Sequence, residues 1–171
     1  MRVRIVVADQ TEAHFYDAIG FGRALNAVGR LANPAGRQRE QDLVSDRPGR
    51  VFERAADPHR RRGASARHAS GPEHAARRQA VDRFARRIAA ELERGWRADR
   101  FDAVVLVAGA SLLGRLRAAL PAHVRAKLAA TVVKDIVHHP AEDVLAYLPR
   151  SVFTGPLPFT PAPRAAPRGL G

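Results

Sequence analysis

Residues 100–120 read RFDAVVLVAGASLLGRLRAAL. Phe101, Val104, Val105, Leu106 and Val107 form a short, almost unbroken apolar run rich in β-branched side chains. Such a run suits a strand buried on both faces. Ala108-Gly109-Ala110 lets the backbone turn, and Ser111 is placed to cap a helix. Leu112, Leu113, Leu116 and Leu120 follow at helical spacing. Strand, small-residue loop and helix make the half-unit of an α/β sheet. The loop leaves the strand at its carboxyl end, where open α/β sheets keep their binding crevice.

Outward from this centre, Val3, Ile5, Val6 and Val7 mark a first strand ending at Asp9. Ala13 to Asp17 forms its hairpin partner, and Arg23 to Leu31 a third strand stopped by Asn33-Pro34. Ser70-Gly71-Pro72-Glu73 has the form of a capping box with proline in the first turn. The helix it opens extends to about Arg97, with Val81, Phe84, Ile88, Leu92 and Trp96 on one apolar stripe. Arg83, Arg86, Arg87 and Arg94 lie off that stripe, and Arg87–Glu91 and Glu93–Arg97 are i,i+4 pairs. Pro121 ends the next helix, and a turn is expected over His123–Leu128. A strand follows from Thr131 to about Ile136, then a helix from Ala141 to Leu148. The expected organisation is one α/β domain over residues 1–150, with a long, basic, partly mobile loop over 35–71. A disordered Pro/Ala/Gly-rich tail is expected over 151–171.

Composition narrows the chemistry. With no cysteine, disulfides, thiolate catalysis and cysteine-ligated zinc are excluded. No apolar run approaches the roughly 18 residues of a membrane span, and the amino-terminal apolar run is too short for a signal peptide. A cytoplasmic protein without membrane insertion is therefore expected. The net charge of +12 points to a polyanion partner, RNA foremost. Arginine dominates, Lys127 and Lys134 being the only lysines, so drift toward arginine codons is the competing origin of the charge.

The cations concentrate in His59–His68, where Arg60, Arg61, Arg62 and Arg67 stand with two histidines and no acid. A cationic loop of this kind suits phosphate contacts. Upstream, Arg47-Pro48-Gly49-Arg50 reads as a turn. Asp42 and Asp46 beside it form either a loop-ordering cluster with Arg47 and Arg50 or, with His138, a hydrolytic site near the crevice. No complete catalytic motif exists: Gly20-Phe21-Gly22 is not a phosphate loop, and GASLL around Ser111 lacks the second glycine of a nucleophile elbow. Asp135, His138 and His139 match no helix-borne metal motif, so neither metal nor cofactor is expected.

Four stretches carry a family resemblance: NPAGRQREQDLVSDRPGR (33–50), RFARRIAAEL (83–92), RFDAVVLVAGASLLGRLRAAL (100–120) and VVKDIVHHP (132–140). In this order they resemble the bacterial host attachment protein family, over roughly residues 3–148. That family is similar in turn to the middle domain of archaeal and eukaryotic class-one peptide-chain release factors. The resemblance implies an α/β fold of ribonuclease-H-like type with a mixed sheet and flanking helices. In the release factors a Gly-Gly-Gln loop precedes the helix matched here by Arg83-Phe84-Ala85-Arg86-Arg87. This chain has no Gly-Gly-Gln, so peptidyl-tRNA hydrolysis does not carry over. Two functions follow as expectations: a non-enzymatic RNA- or ribosome-binding protein working through Arg60–Arg67, or a hydrolase using Asp42, Asp46 or His138.

Overall fold

The computed structural model describes residues 1–19, 23–36 and 72–154. Its strands are β1 (Val3–Ala8), β2 (Glu12–Ile19), β3 (Ala24–Ala32), β4 (Ala103–Ala108) and β5 (Leu128–Val133). Its helices are α1 (Pro72–Arg97), α2 (Ala110–Ala119), α3 (Ala122–Arg125), α4 (Ala141–Ala146) and α5 (Ser151–Thr154). The strands form one mixed sheet in the order β3-β2-β1-β4-β5. β1, β4 and β5 run parallel, and β2 is antiparallel to both of its neighbours. The fold is α/β with a five-stranded mixed sheet, as the residues around β4 require.

Every residue of β1 and β4 is buried, because both strands are central and both sheet faces are covered. Alternation sorts their side chains between two cores. Val6, Ala8, Val104, Leu106 and Ala108 face α1 and α2, meeting Phe84, Ile88, Leu92, Leu112 and Leu116. Val3, Ile5, Val7, Val105 and Val107 face the opposite side, meeting Ile136, Val137, Val144, Leu148, Val152 and Phe153. Burying each of these larger side chains stabilises the fold by roughly 1.5–3 kcal/mol before entropy is set against it.

Several expectations are corrected. The tail does not begin at residue 151: Ser151–Thr154 is a helical turn whose Val152 and Phe153 seal the second core. Two apolar residues before a proline-rich stretch were too little signal for a helix. The last strand spans Leu128–Val133, not Thr131–Ile136, because Ile136 and Val137 leave the sheet to cover its second face. Where a turn was expected over His123–Leu128, residues 122–125 form a short helix and Leu128 begins β5. Ser111 does not cap α2; the cap is Gly109, with no side-chain hydrogen bond. Arg87 does not pair with Glu91 but donates to the Ala32 carbonyl at 3.0 Å, while Arg94 pairs with Glu91. The Glu93–Arg97 pair forms, with Nη2 2.7 Å from Oε1.

Arg4 is the second residue of an otherwise apolar strand and is 4 % exposed. Its guanidinium donates through Nε and Nη2 to the two Asp17 carboxylate oxygens, with Nη2 to Oδ2 at 3.1 Å, and lies 5.2 Å from the Phe101 ring centre. Gly95 of α1 makes room for this layer. A Cβ there would stand 2.9 Å from Phe101 Cε1 and 3.4 Å from Arg4 Nη1.

Candidate functional site

The β1–β2 turn builds the first part of the site. Asp9 accepts from the backbone N–H groups of Thr11 (2.7 Å) and Glu12 (2.8 Å), and Thr11 Oγ1 donates to the same carboxylate. Side-chain to backbone bonds of this kind fix a turn without a ladder. The Pro34–Gly36 turn packs on it: Asn33 Nδ2 donates to the Gln10 carbonyl at 2.7 Å. Only glycine fits at 36, since a Cβ would fall 1.9 Å from that carbonyl oxygen.

With the turn fixed, β2 presents Glu12, His14 and Tyr16 on one face at a period of two. Glu12 is the focus. Its side chain is only 4 % exposed, yet three basic groups surround its carboxylate. Arg30 of β3 donates to Oε2 through Nε at 3.0 Å and through Nη2. His14 Nε2 stands 3.6 Å and His138 Nδ1 3.2 Å from Oε1. The Arg30 hydrogen bond outweighs burial and holds the Glu12 carboxyl below its usual range. His14 Nδ1 lies 3.2 Å from the Tyr16 hydroxyl, whose pKa burial raises, with a smaller push from Glu12. His138, on the loop after β5, also brings Nε2 to 3.6 Å from Asp9 Oδ2. The result is a line of Tyr16, His14, Glu12, His138 and Asp9, open to solvent where His138 is exposed. His14 Nε2 is buried without a hydrogen-bond partner among the described residues, and the cluster ties the post-β5 loop to the first hairpin.

Of the residues singled out from sequence, His138 belongs to this cluster. Asp42, Asp46, Arg47 and Arg50, and Arg60, Arg61, Arg62 and Arg67, lie outside the described residues. Asp9, Glu12, His14 and Arg30 escaped the sequence reading; the i, i+2 spacing of Glu12, His14 and Tyr16 was the one signal for part of the group. Among the described residues no group of three or more His, Cys, Asp or Glu is arranged to hold a metal ion. No helix among them is long and apolar enough to cross a membrane.

A mixed-sheet α/β protein with a carboxylate–histidine cluster around a buried Glu12 and a net charge of +12 is the class these features define. The chain belongs to the family described as "Protein required for attachment to host cells", whose model matches residues 4–148. No match is found among curated proteins. Among solved structures, one described as "Archaeal protein" is similar at 10 % identity with a TM-score of 0.46. The alignment covers 90 % of this chain and 36 % of that one, so the chain spans little more than a third of that protein's length.

Proposed function

We propose that this protein is a non-enzymatic binding protein that acts on RNA or the ribosome, and that its effect on attachment is indirect. The observation carrying the proposal is a surplus of cations that the acids cannot neutralise: 29 lysines and arginines against 17 acids. Seven described carboxylates are already engaged by arginine: Glu12 by Arg30, Asp17 by Arg4, Asp82 by Arg115, Glu91 by Arg94, Glu93 by Arg97, and Asp99 and Asp102 by Arg2. The remaining positive field attracts a polyanion, and Arg60, Arg61, Arg62 and Arg67 are the proposed grip. The family's resemblance to release-factor middle domains, and a mixed sheet of the kind expected for a ribonuclease-H-like fold, favour the ribosome as the setting. The missing Gly-Gly-Gln argues for binding without peptide release.

The test is co-sedimentation with ribosomes and RNA binding across a salt series. Arg60→Ala, Arg61→Ala and Arg62→Ala together should flatten the salt slope by roughly three units at about 0.9 per phosphate contact. No binding by the parent at low salt refutes the proposal. The second reading, a hydrolase built on Asp42, Asp46 and His138, has one observation in its favour, the approach of His138 to Glu12 and Asp9. It requires a hydrolytic activity that His138→Ala abolishes at unchanged melting temperature.

A further inference from the structure

The long helix α1 turns its apolar stripe to the core and leaves a solvent face that β3 touches at one edge, where Arg87 donates to the Ala32 carbonyl. At about 100° per residue, Arg83, Arg86, Arg87, Arg94 and Arg97 fall within roughly 100° of one another on that face, opposite the buried Phe84, Ile88 and Leu92. All five are exposed. They form two rows, Arg83–Arg87–Arg94 and Arg86–Arg97, and the small Ala90 lies between Arg86 and Arg97. At a rise of about 1.5 Å per residue the ridge is roughly 21 Å long. The acids bordering it, Glu91 and Glu93, pair with Arg94 and Arg97 and hold those side chains along the ridge. Arg83 and Arg86 make no ion pair among the described residues, which leaves two cations uncommitted at its amino-terminal half.

From this geometry we infer that the outer face of α1 docks on the phosphate backbone of a nucleic-acid duplex. The inference rests on the polyanion-binding proposal and adds a second surface to it, with a shape. A duplex presents one charge per about 1.7 Å of axis, so roughly a dozen phosphates lie along the ridge length. A straight, rigid row of arginines matches that regular field. The ridge carries no exposed aromatic side chain: among the described residues the exposed large apolar ones are Met1, Val28, Val133 and Tyr147, none of them on α1. Trp96 is partly buried against the core. Single strands are held by stacking bases on aromatic rings, and this surface offers none. Arginines without a stacking platform grip backbone and shape and do not read bases.

The variant that tests the inference is Arg83→Gln with Arg86→Gln, because both side chains point to solvent and the melting temperature should hold. Parent and variant are titrated with a duplex RNA, a duplex DNA of the same sequence and a single-stranded RNA, each over a salt series. Duplexes should bind more tightly than the single strand, and the variant should lose about two units of duplex salt slope. A preference between the duplexes assigns the partner to RNA or DNA. An unchanged slope in the variant, with binding lost in the Arg60/Arg61/Arg62 triple alanine variant, overturns the α1 surface and leaves the binding proposal standing. Single-strand binding as tight as duplex binding overturns the duplex assignment. Anionic lipid vesicles that bind as tightly, and lose binding in the same variant, overturn it in favour of a membrane surface. A parent that binds no nucleic acid at low salt removes both proposals.

Discussion

Removing Asp17 should cost more stability than removing its partner Arg4. The Arg4 side chain is 5 % exposed and that of Asp17 31 %. Truncating Asp17 leaves a guanidinium sealed between the sheet, Phe101 and Gly95 with two N–H groups unpaired. Breaking a fully buried pair costs about 3–5 kcal/mol; the partial exposure of Asp17 admits water and lowers the expected value for Asp17→Ala to about 3 kcal/mol. Asp17→Asn retains one acceptor and should cost about 2 kcal/mol. Arg4→Met leaves a carboxylate that can hydrate, fills the same volume and forfeits the contact with Phe101, for about 1 kcal/mol. The double variant Arg4→Met/Asp17→Leu should lie near the parent, because an apolar replacement of a buried pair removes desolvation along with attraction. Trp96 is the only tryptophan, its ring centre 6.3 Å from that of Phe101, so urea unfolding followed by fluorescence reports from beside the pair. An Asp17→Ala variant within about 0.5 kcal/mol of the parent, below the usual cost of one unsatisfied buried group, would show that the guanidinium reaches water and refute the reasoning.

Three further outcomes are expected. Val105→Asp should abolish folding, since Val105 is fully buried in the strand between β1 and β5 and an unpaired carboxylate there costs several kcal/mol; a natively melting variant in thermal denaturation would contradict this. Phe153→Ala should destabilise by about 3 kcal/mol, measured by urea unfolding, because the ring closes the second core; no change would return residue 153 to the tail. Glu12 has a folded pKa below its ordinary 4.5, so the stability it contributes is complete above pH 4.5 and is lost as pH falls through the lowered value. Arg30→Ala should remove the main cause of that shift, shrink the acid limb of a stability–pH curve and cost about 1 kcal/mol at neutral pH, the exposure of Arg30 limiting the loss.

Elements whose residues carry their own periodicity were legible in the sequence. The runs of β1 and β4 and the stripe of α1 state burial directly, and α1 ends at Arg97, as its stripe indicates. β5 was displaced because Leu128, Ala129 and Ala130 carry a weak apolar signal, whereas Val132 to Val137 carry a strong one that is divided between strand and core cover. Of the Glu12 cluster only His138 was read from the sequence. The cluster is assembled by the pairing of β2 with β3 and by the return of His138, and register and loop paths are long-range facts. Arg4 escaped for the same reason: a charge among valines makes sense only once β2 places Asp17 beside it.

The position of β4 in the sheet also sets a timetable for synthesis. β1 is complete by residue 8, but its parallel partner begins at residue 103, and the last side chain to cover their shared second face is Phe153. At a translation rate of about 5–20 residues per second, Val3, Ile5 and Val7 wait on the order of 10 s for β4 to be made. Until then the nascent chain holds the antiparallel β1–β2–β3 meander and, once residue 97 is made, α1 for its first face, while the second apolar face stays open. A chain built in this order depends on protection at the ribosome exit, and its folding yield is decided by how long that first hairpin avoids other sheets.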